Sequence, residues 1–367
     1  MNNLPLNHIL PGDTLEILPT LPERCVDLVF ADPPYNLQLK ADLWRPNLTR
    51  VDAVDDGWDQ FGSFAEYDTF TRAWLSGCRR VMRDTATIWV SGTYHNIFRV
   101  GAIMQDLGFW LLNTIAWWKF NATPNFNGTR LKNDVEFVIW AKKSESSRYT
   151  FHHHLMKQFN DFAPGKQLGS VWKINATGGA ERLRDAAGKK LHSTQKPEEL
   201  LRRIILASSN PGDVVFDPFM GSGTTAAMAK LLRRRWLGIE RDAGYIAAAQ
   251  KRIDAVEPLP PDHPLIAAVT EPGPPRVAFA QLIEAGYLRA GDTLYLDKPE
   301  CAAVILADGR VRADAVTGSI HRVGAQLKGT PSCNGWKHWY YQDKNGQMRP
   351  IDHLRQQYRA NQKDPQP

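Results

Sequence analysis

Short, nearly continuous apolar runs punctuate the first two-thirds of the chain, at residues 26–31, 135–140, 213–217 and 235–240. Runs of this length, apolar at odd and even positions alike, read as strands buried on both faces. Helical stretches lie among them, at residues 14–18, 198–208 and 226–234. Together they predict an α/β domain over residues 1–257. The pattern then breaks. Residues 258–275 hold seven prolines and read as a linker by composition. Residues 276–359 carry a helix at 278–286 and several short strands, with turns at Asp308-Gly309 and Asn345-Gly346, which predicts a small α+β domain. Residues 360–367 read as a disordered tail.

Two of the buried strands end in chemistry. Strand 26–31 runs into Asp32-Pro33-Pro34-Tyr35. This places a carboxylate, rigid carbonyls with φ fixed by proline, and a flat ring at one point. The set suits a planar base that bears an amine. An exocyclic amine is a weak nucleophile because its lone pair is delocalised into the ring. The Asp32 carboxylate and the Pro33 carbonyl, accepting from its two N–H bonds, would draw the nitrogen towards a tetrahedral form where positive charge develops. Pro34 would fix the turn and Tyr35 would stack on the base. Taken alone, the four residues are equally a Pro-Pro turn at a strand end.

Strand 213–217 runs into Pro218-Phe219-Met220-Gly221-Ser222-Gly223-Thr224-Thr225 and then a helix. The following strand ends at Glu240, roughly 20 residues past the glycines, the spacing at which a carboxylate takes ribose hydroxyls. The loop lacks both the full dinucleotide fingerprint and the Lys-Ser/Thr ending of a P-loop. S-adenosylmethionine, which has a ribose but no phosphate, fits such a loop, with Asp217, Phe219, Gly221, Ser222, Gly223, Thr224 and Glu240 as candidate contacts.

This pair of motifs resembles the S-adenosylmethionine-dependent DNA amino-methyltransferases over about residues 4–255. Their order, catalytic before cofactor motif, resembles the beta class. That implies a circularly permuted Rossmann-like sheet with helices on both faces. The whole chain resembles the GANTC-type, cell-cycle-regulated adenine methyltransferases, which carry an extra C-terminal domain. The resemblance implies N6 methylation of a flipped-out adenine, a solitary enzyme and a homodimer. It also implies that Asp13 faces the cofactor's adenine and that Thr194 and Lys196 flank its methionine end, although Asp13 equally suits a helix N-cap. Asp32 would border the cofactor as well. A cytosine-N4 enzyme remains open, and less readily an RNA or protein methyltransferase.

A net charge of +6 and a pI near 9.1 lean towards a polyanionic partner such as double-stranded DNA. The absence of an 18-residue apolar run or a leader pattern suggests a cytoplasmic protein, nucleoid-associated through DNA. The four cysteines are too scattered for a zinc site or disulfide framework, and His152-His153-His154 lacks acid or thiol partners at ligand spacing, so no metal is expected. For DNA contact, the segment between the motifs, about residues 117–179, offers Lys119, Asn121, Asn125 and Arg130, and the loop after the catalytic motif offers Arg45. The C-terminal domain offers Ser319, Asn334, Trp336 and Arg355, residue types that read base edges or fill distorted duplexes. The competing reading of that domain is dimerisation or structure, with Trp336 and Trp339 in its core.

Overall fold

The computed structural model describes residues 4–37, 59–125, 128–184, 188, 190–191, 194–270 and 277–363. The chain separates into two units, residues 1–271 and 272–367.

The first unit is built on an eight-stranded sheet. Its order is β1 (His8–Pro11), β8 (Arg235–Glu240), β7 (Val214–Asp217), β2 (Val26–Ala31), β3 (Met82–Gly92), β5 (Val135–Lys142), β4 (Trp110–Trp118) and β6 (Val171–Lys173). The strands from β1 to β3 run parallel; β5 is antiparallel to β3 and to β4. Side chains alternate between two cores, as a pleated strand requires. Leu28 and Phe30 of β2 face one core with Val215 and Trp236, under α5 (Glu198–Ser208), α6 (Thr224–Leu231) and α7 (Ala243–Asp254). Val29 and Ala31 face the other with Phe216 and Ile239, under α2 (Phe64–Val81) and α3 (Ile97–Asp106). Burial on both faces explains the unbroken apolar runs. Among the described residues no helix is long and apolar enough to cross a membrane.

The stretch expected to be a linker contains α8 (Pro264–Thr270). Ile266 is buried in the core beneath α5 and α6, and the Leu259 N–H donates to Leu231 O at 2.8 Å. Residues 258–270 therefore belong to the first unit. Proline misleads here because it is tolerated in the first turn of a helix, and Pro264 opens this one.

The second unit is a six-stranded antiparallel sheet. Its order is β12 (Val316–Gly318), β11 (Val311–Ala313), β10 (Lys298–Ile305), β9 (Thr293–Leu296), β13 (Trp339–Gln342) and β14 (Met348–Pro350). Asp308-Gly309 and Asn345-Gly346 join β10 to β11 and β13 to β14, with both glycines at positive φ. Helices α9 (Phe279–Glu284), α10 (Ile320–Lys328), α11 (Gly335–His338) and α12 (Asp352–Lys363) complete it. Trp339 is fully buried and donates from its indole to Ile320 O at 2.7 Å. Helix α12 runs past residue 360, so that part of the expected tail is helical; residues 364–367 lie outside the described residues.

Candidate functional site

Because β1, β8, β7, β2 and β3 are parallel neighbours, their carboxyl ends open on one edge of the sheet, where α/β sheets hold ligands. Gly12-Asp13 leave β1, Asp32 to Tyr35 leave β2, Ser91 lies near the end of β3, Pro218 to Gly223 leave β7, and Glu240 ends β8. Residues 187 apart in sequence thus meet, with Leu28 in register with Val215. One cavity of about 760 Å³ runs along this edge. Asp13, Asp32, Pro33, Pro34, Tyr35, Thr194, Lys196, Asp217, Phe219, Gly221, Ser222, Thr224 and Glu240 all line it.

At one end sits the Asp32 carboxylate. Its Oδ1 accepts from the Tyr35 hydroxyl at 2.7 Å and its Oδ2 from Lys196 Nζ at 2.6 Å. The Tyr35 hydroxyl also lies 3.0 Å from Ser91 Oγ and 3.4 Å from Glu136 Oε2. Burial pushes the Asp32 carboxyl up, against the pull of Lys196. Burial alone would push Lys196 down, but Asp32 and Glu136 outweigh it and hold its ammonium above the ordinary range. Tyr35, expected to offer its ring to a base, is buried in the wall of the cavity. Lys196 Nζ lies 5.2 Å from its ring centroid, and its hydroxyl orients Asp32. Lys196 grips the Asp32 carboxylate and lines the same cavity.

The motif's backbone is fixed from both sides. The Pro34 carbonyl accepts from the Tyr67 hydroxyl at 2.9 Å. Asp59, buried, accepts from the backbone N–H groups of Tyr35, Asn36 and Leu37 at 2.5, 2.9 and 3.0 Å. Sequence reasoning missed Asp59, Ser91 and Glu136. Glu136 read as one polar position in an apolar strand, and the antiparallel turn of β5 that carries its amino end to this edge has no local signature.

At the other end the Glu240 carboxylate is oriented by three backbone N–H groups: Gly221 on Oε2 at 2.7 Å, Arg241 and Asp242 on Oε1, each at 2.9 Å. Gly221 and Gly223 hold φ of +52° and +75°, and Gly223 caps α6. Asp13 caps α1 (Thr14–Ile17) by accepting from Leu15 N at 2.8 Å while lining the cavity, so it serves as cap and as wall. A pinned carboxylate, a glycine turn and the apolar Phe219 and Ile239 walls fit an adenosyl group.

Asp217 is fully buried, accepting from Thr225 Oγ1 at 2.5 Å and Phe219 N at 2.9 Å. It holds the turn together beneath the cavity. Burial pushes its carboxyl up from 3.8 to about 7, above its unfolded value. The stability this group lends is complete below the unfolded value and is lost as pH rises through about 7, by on the order of 4 kcal/mol at most. Asp217→Asn stays neutral. Its melting temperature relative to the parent chain should therefore rise between about pH 5 and about pH 8; an equal difference at both would refute a buried charge.

The candidate DNA contacts fare unevenly. Lys119 is largely buried and donates to Glu136 Oε1 at 2.7 Å, so it joins the charged cluster around Asp32. Asn121 spends its side chain on both backbone groups of Ala176. Asn125 is partly buried, and Arg130 is exposed with its guanidinium on the Tyr94 hydroxyl at 2.9 Å. Arg45 lies outside the described residues. Ser319 caps α10, accepting from Arg322 N at 3.2 Å, and Asn334 is exposed at the start of α11. Trp336 is buried against Phe279, with the Arg355 guanidinium 4.5 Å over its ring. Trp336 fills the small core, as the competing reading of that domain held, and the partly exposed Arg355 covers its ring while pairing with Asp352.

Comparison with known proteins agrees with this geometry. Residues 26–251 match a DNA methylase family model of the N6/N4 type, and residues 264–364 match one described as Restriction Enzyme Adenine Methylase Associated. The chain is 44% identical over 353 residues to the Type II methyltransferase M.HinfI of Haemophilus influenzae, covering 96% of this chain and 97% of that protein. It is 40% identical over 249 residues to the Type II methyltransferase M2.DpnII of Streptococcus pneumoniae, covering 67% and 89%. The solved structure of the cytosine-N4-specific PvuII DNA methyltransferase shares the fold, with a TM-score of 0.51 at 21% identity over 71% of this chain and 89% of that one.

Proposed function

The chain belongs to the N6/N4 DNA methylase family and is an S-adenosylmethionine-dependent DNA methyltransferase, and from that premise we propose that it methylates the N6 amine of a flipped-out adenine within GANTC. The observation that carries the chemistry is the Asp32 carboxylate, immobilised by Tyr35 and Lys196 in the same cavity as the glycine turn and Glu240. The family's PvuII relative acts on cytosine, so the fold itself does not choose between amines. Adenine is favoured by the match of residues 264–364 to an adenine-methylase-associated family.

Glu240, Gly221 and Phe219 would hold the adenosyl group, and Asp13 would border its adenine. Bound there, the cofactor supplies an activated methyl group. The target adenine must leave the stack to reach the cavity, at a cost on the order of a few kcal/mol. One N–H of its amine would then meet Asp32 and the other the Pro33 carbonyl. With those acceptors rigid, the lone pair points along the line of transfer and little reorganisation is left for the reaction step. The proton is lost after transfer, when the amine is strongly acidic, so the site requires no strong base.

The test is transfer of labelled methyl to duplexes with and without GANTC, followed by nucleoside analysis. N6-methyladenine confined to the GANTC duplex is expected. N4-methylcytosine would keep the amine chemistry and remove the adenine assignment.

We further propose that residues 272–367 read or grip the duplex, that the protein acts as a homodimer, and that it is a solitary enzyme with a cell-cycle role. Each unit has its own core, so a chain ending at Thr270 should fold. It should still bind the cofactor yet lose sequence-specific methylation by roughly a hundredfold or more, the scale of several lost DNA contacts. Full specific activity in the truncated chain would sink the idea.

A further inference from the structure

Glu136 has no part in the roles given so far, yet it is wired into the site through Lys119, Tyr35 and Lys196. Its strand, β5, is antiparallel to β3, so its amino end lies beside Ser91 and Gly92. Glu136 Oε1 accepts from Lys119 at 2.7 Å; Oε2 lies 3.4 Å from the Tyr35 hydroxyl and 4.0 Å from Lys196 Nζ. Lys196 in turn grips Asp32. The side chains of Lys119, Glu136, Asp32 and Lys196 are 13, 14, 16 and 7% exposed. Two acids and two bases are thus buried together with no net charge. Burying charges in a strand costs free energy that an apolar residue would not, so sheet packing alone does not account for Glu136.

We propose that Glu136 is a positioning residue for methyl transfer: backed by Lys119, it balances Lys196, so that the cation that aligns Asp32 leaves no net positive field at the reacting amine. The inference deepens the amine-methylation reading and rests on it. During transfer the amine lone pair forms the new N–C bond, and the electron pair of the broken S–C bond stays with sulfur. The nitrogen becomes cationic until one N–H proton leaves to solvent. An ammonium 2.6 Å from Asp32 opposes that charge unless a second carboxylate offsets it.

Removing the Glu136 charge has a defined sign. Among the described residues, the charged and titratable groups around Asp32 are Lys196, Tyr35, Glu136, Asp217 and Asp59, with Lys119 behind Glu136. The pull of Lys196 and Lys119 overcomes the effect of burial and holds Glu136 ionised, below the usual carboxylate range. Its negative charge raises Asp32 and raises Lys196. Without it, Asp32 should ionise at lower pH, and the acid limb of the rate profile should move down.

The experiment uses the full-length protein, single-turnover methyl transfer to a GANTC duplex across pH, and S-adenosylmethionine binding in parallel. For Glu136→Gln the plateau rate should fall at least roughly tenfold, with the acid limb displaced to lower pH. Cofactor affinity should stay within about twofold. Adding Lys119→Met restores the charge balance and should recover most of the lost rate. An unmoved acid limb, or a double variant slower than the single one, would overturn the inference in favour of a structural role. A parent chain that transfers no methyl to any duplex would overturn the amine-methylation reading along with it. An active parent with an unresponsive Glu136→Gln profile would overturn only the inference.

Discussion

Asp32→Ala is expected to reduce methyl transfer by on the order of a thousandfold or more, while cofactor affinity falls by less than roughly tenfold. The two ends of the cavity are built by different elements, and that separates the readouts. The glycine turn after β7 and the Glu240 carboxylate at the end of β8 are held by their own backbone hydrogen bonds, none of which involves Asp32. Removing Asp32 takes away one of the two acceptors for the amine. It also frees Tyr35 and Lys196, whose hydroxyl and ammonium it now receives. Lys196 keeps Glu136 at 4.0 Å, so the cluster is not left with an isolated cation. Single-turnover rates and equilibrium binding of S-adenosylmethionine decide the matter. Equal losses in both would make Asp32 mainly a cofactor ligand and move the amine acceptor elsewhere. On the proposed mechanism the carboxylate form is the acceptor, and burial raises the Asp32 carboxyl. Activity in the parent chain should therefore fall on the acid side at a higher pH than a free aspartate would give.

The residues legible in the sequence are those whose local chemistry is unusual. Asp32-Pro33-Pro34-Tyr35 and Gly221-Ser222-Gly223 stand at strand ends, where proline and glycine mark the backbone, and both line the cavity or its turn. The strands of the permuted sheet were legible because burial on two faces forces unbroken apolar runs. What the sequence hid is what depends on strand direction. Glu136 reaches the site because β5 reverses, and Lys119 follows it because β4 pairs with β5 in register, Trp117 opposite Glu136. Lys119 therefore looked like a DNA contact and is half of an ion pair. Trp336 illustrates a second limit: an aromatic ring suits a DNA surface and a small core equally, and only packing distinguishes them. Proline composition misled at residues 258–270 because a proline-rich stretch can still start a helix.

Gly223→Val should abolish detectable cofactor binding and lower the melting temperature, the reverse of the Asp32→Ala signature. Gly223 holds φ of +75°, and a Cβ built there lies 2.8 Å from Ala249 Cβ and 3.1 Å from Ala249 Cα. The second contact is backbone, so α7 itself would have to move away from α6. A β-branched residue forced into this left-handed conformation costs about 1–3 kcal/mol, and the overpacking adds about 1–3 kcal/mol. Relief by shifting the turn would displace Gly221, whose N–H orients Glu240. Gly212 supplies the control. It holds φ of +86° at the opposite end of β7, and nothing lies within 4 Å of its Cβ position. Gly212→Ala therefore carries backbone strain alone, about 1 kcal/mol, and should leave cofactor binding intact. Calorimetric titration with S-adenosylmethionine, beside thermal melts of both variants, separates strain from close approach. If Gly223→Val binds the cofactor as the parent does, the glycine turn supports the fold and does not form the cofactor site.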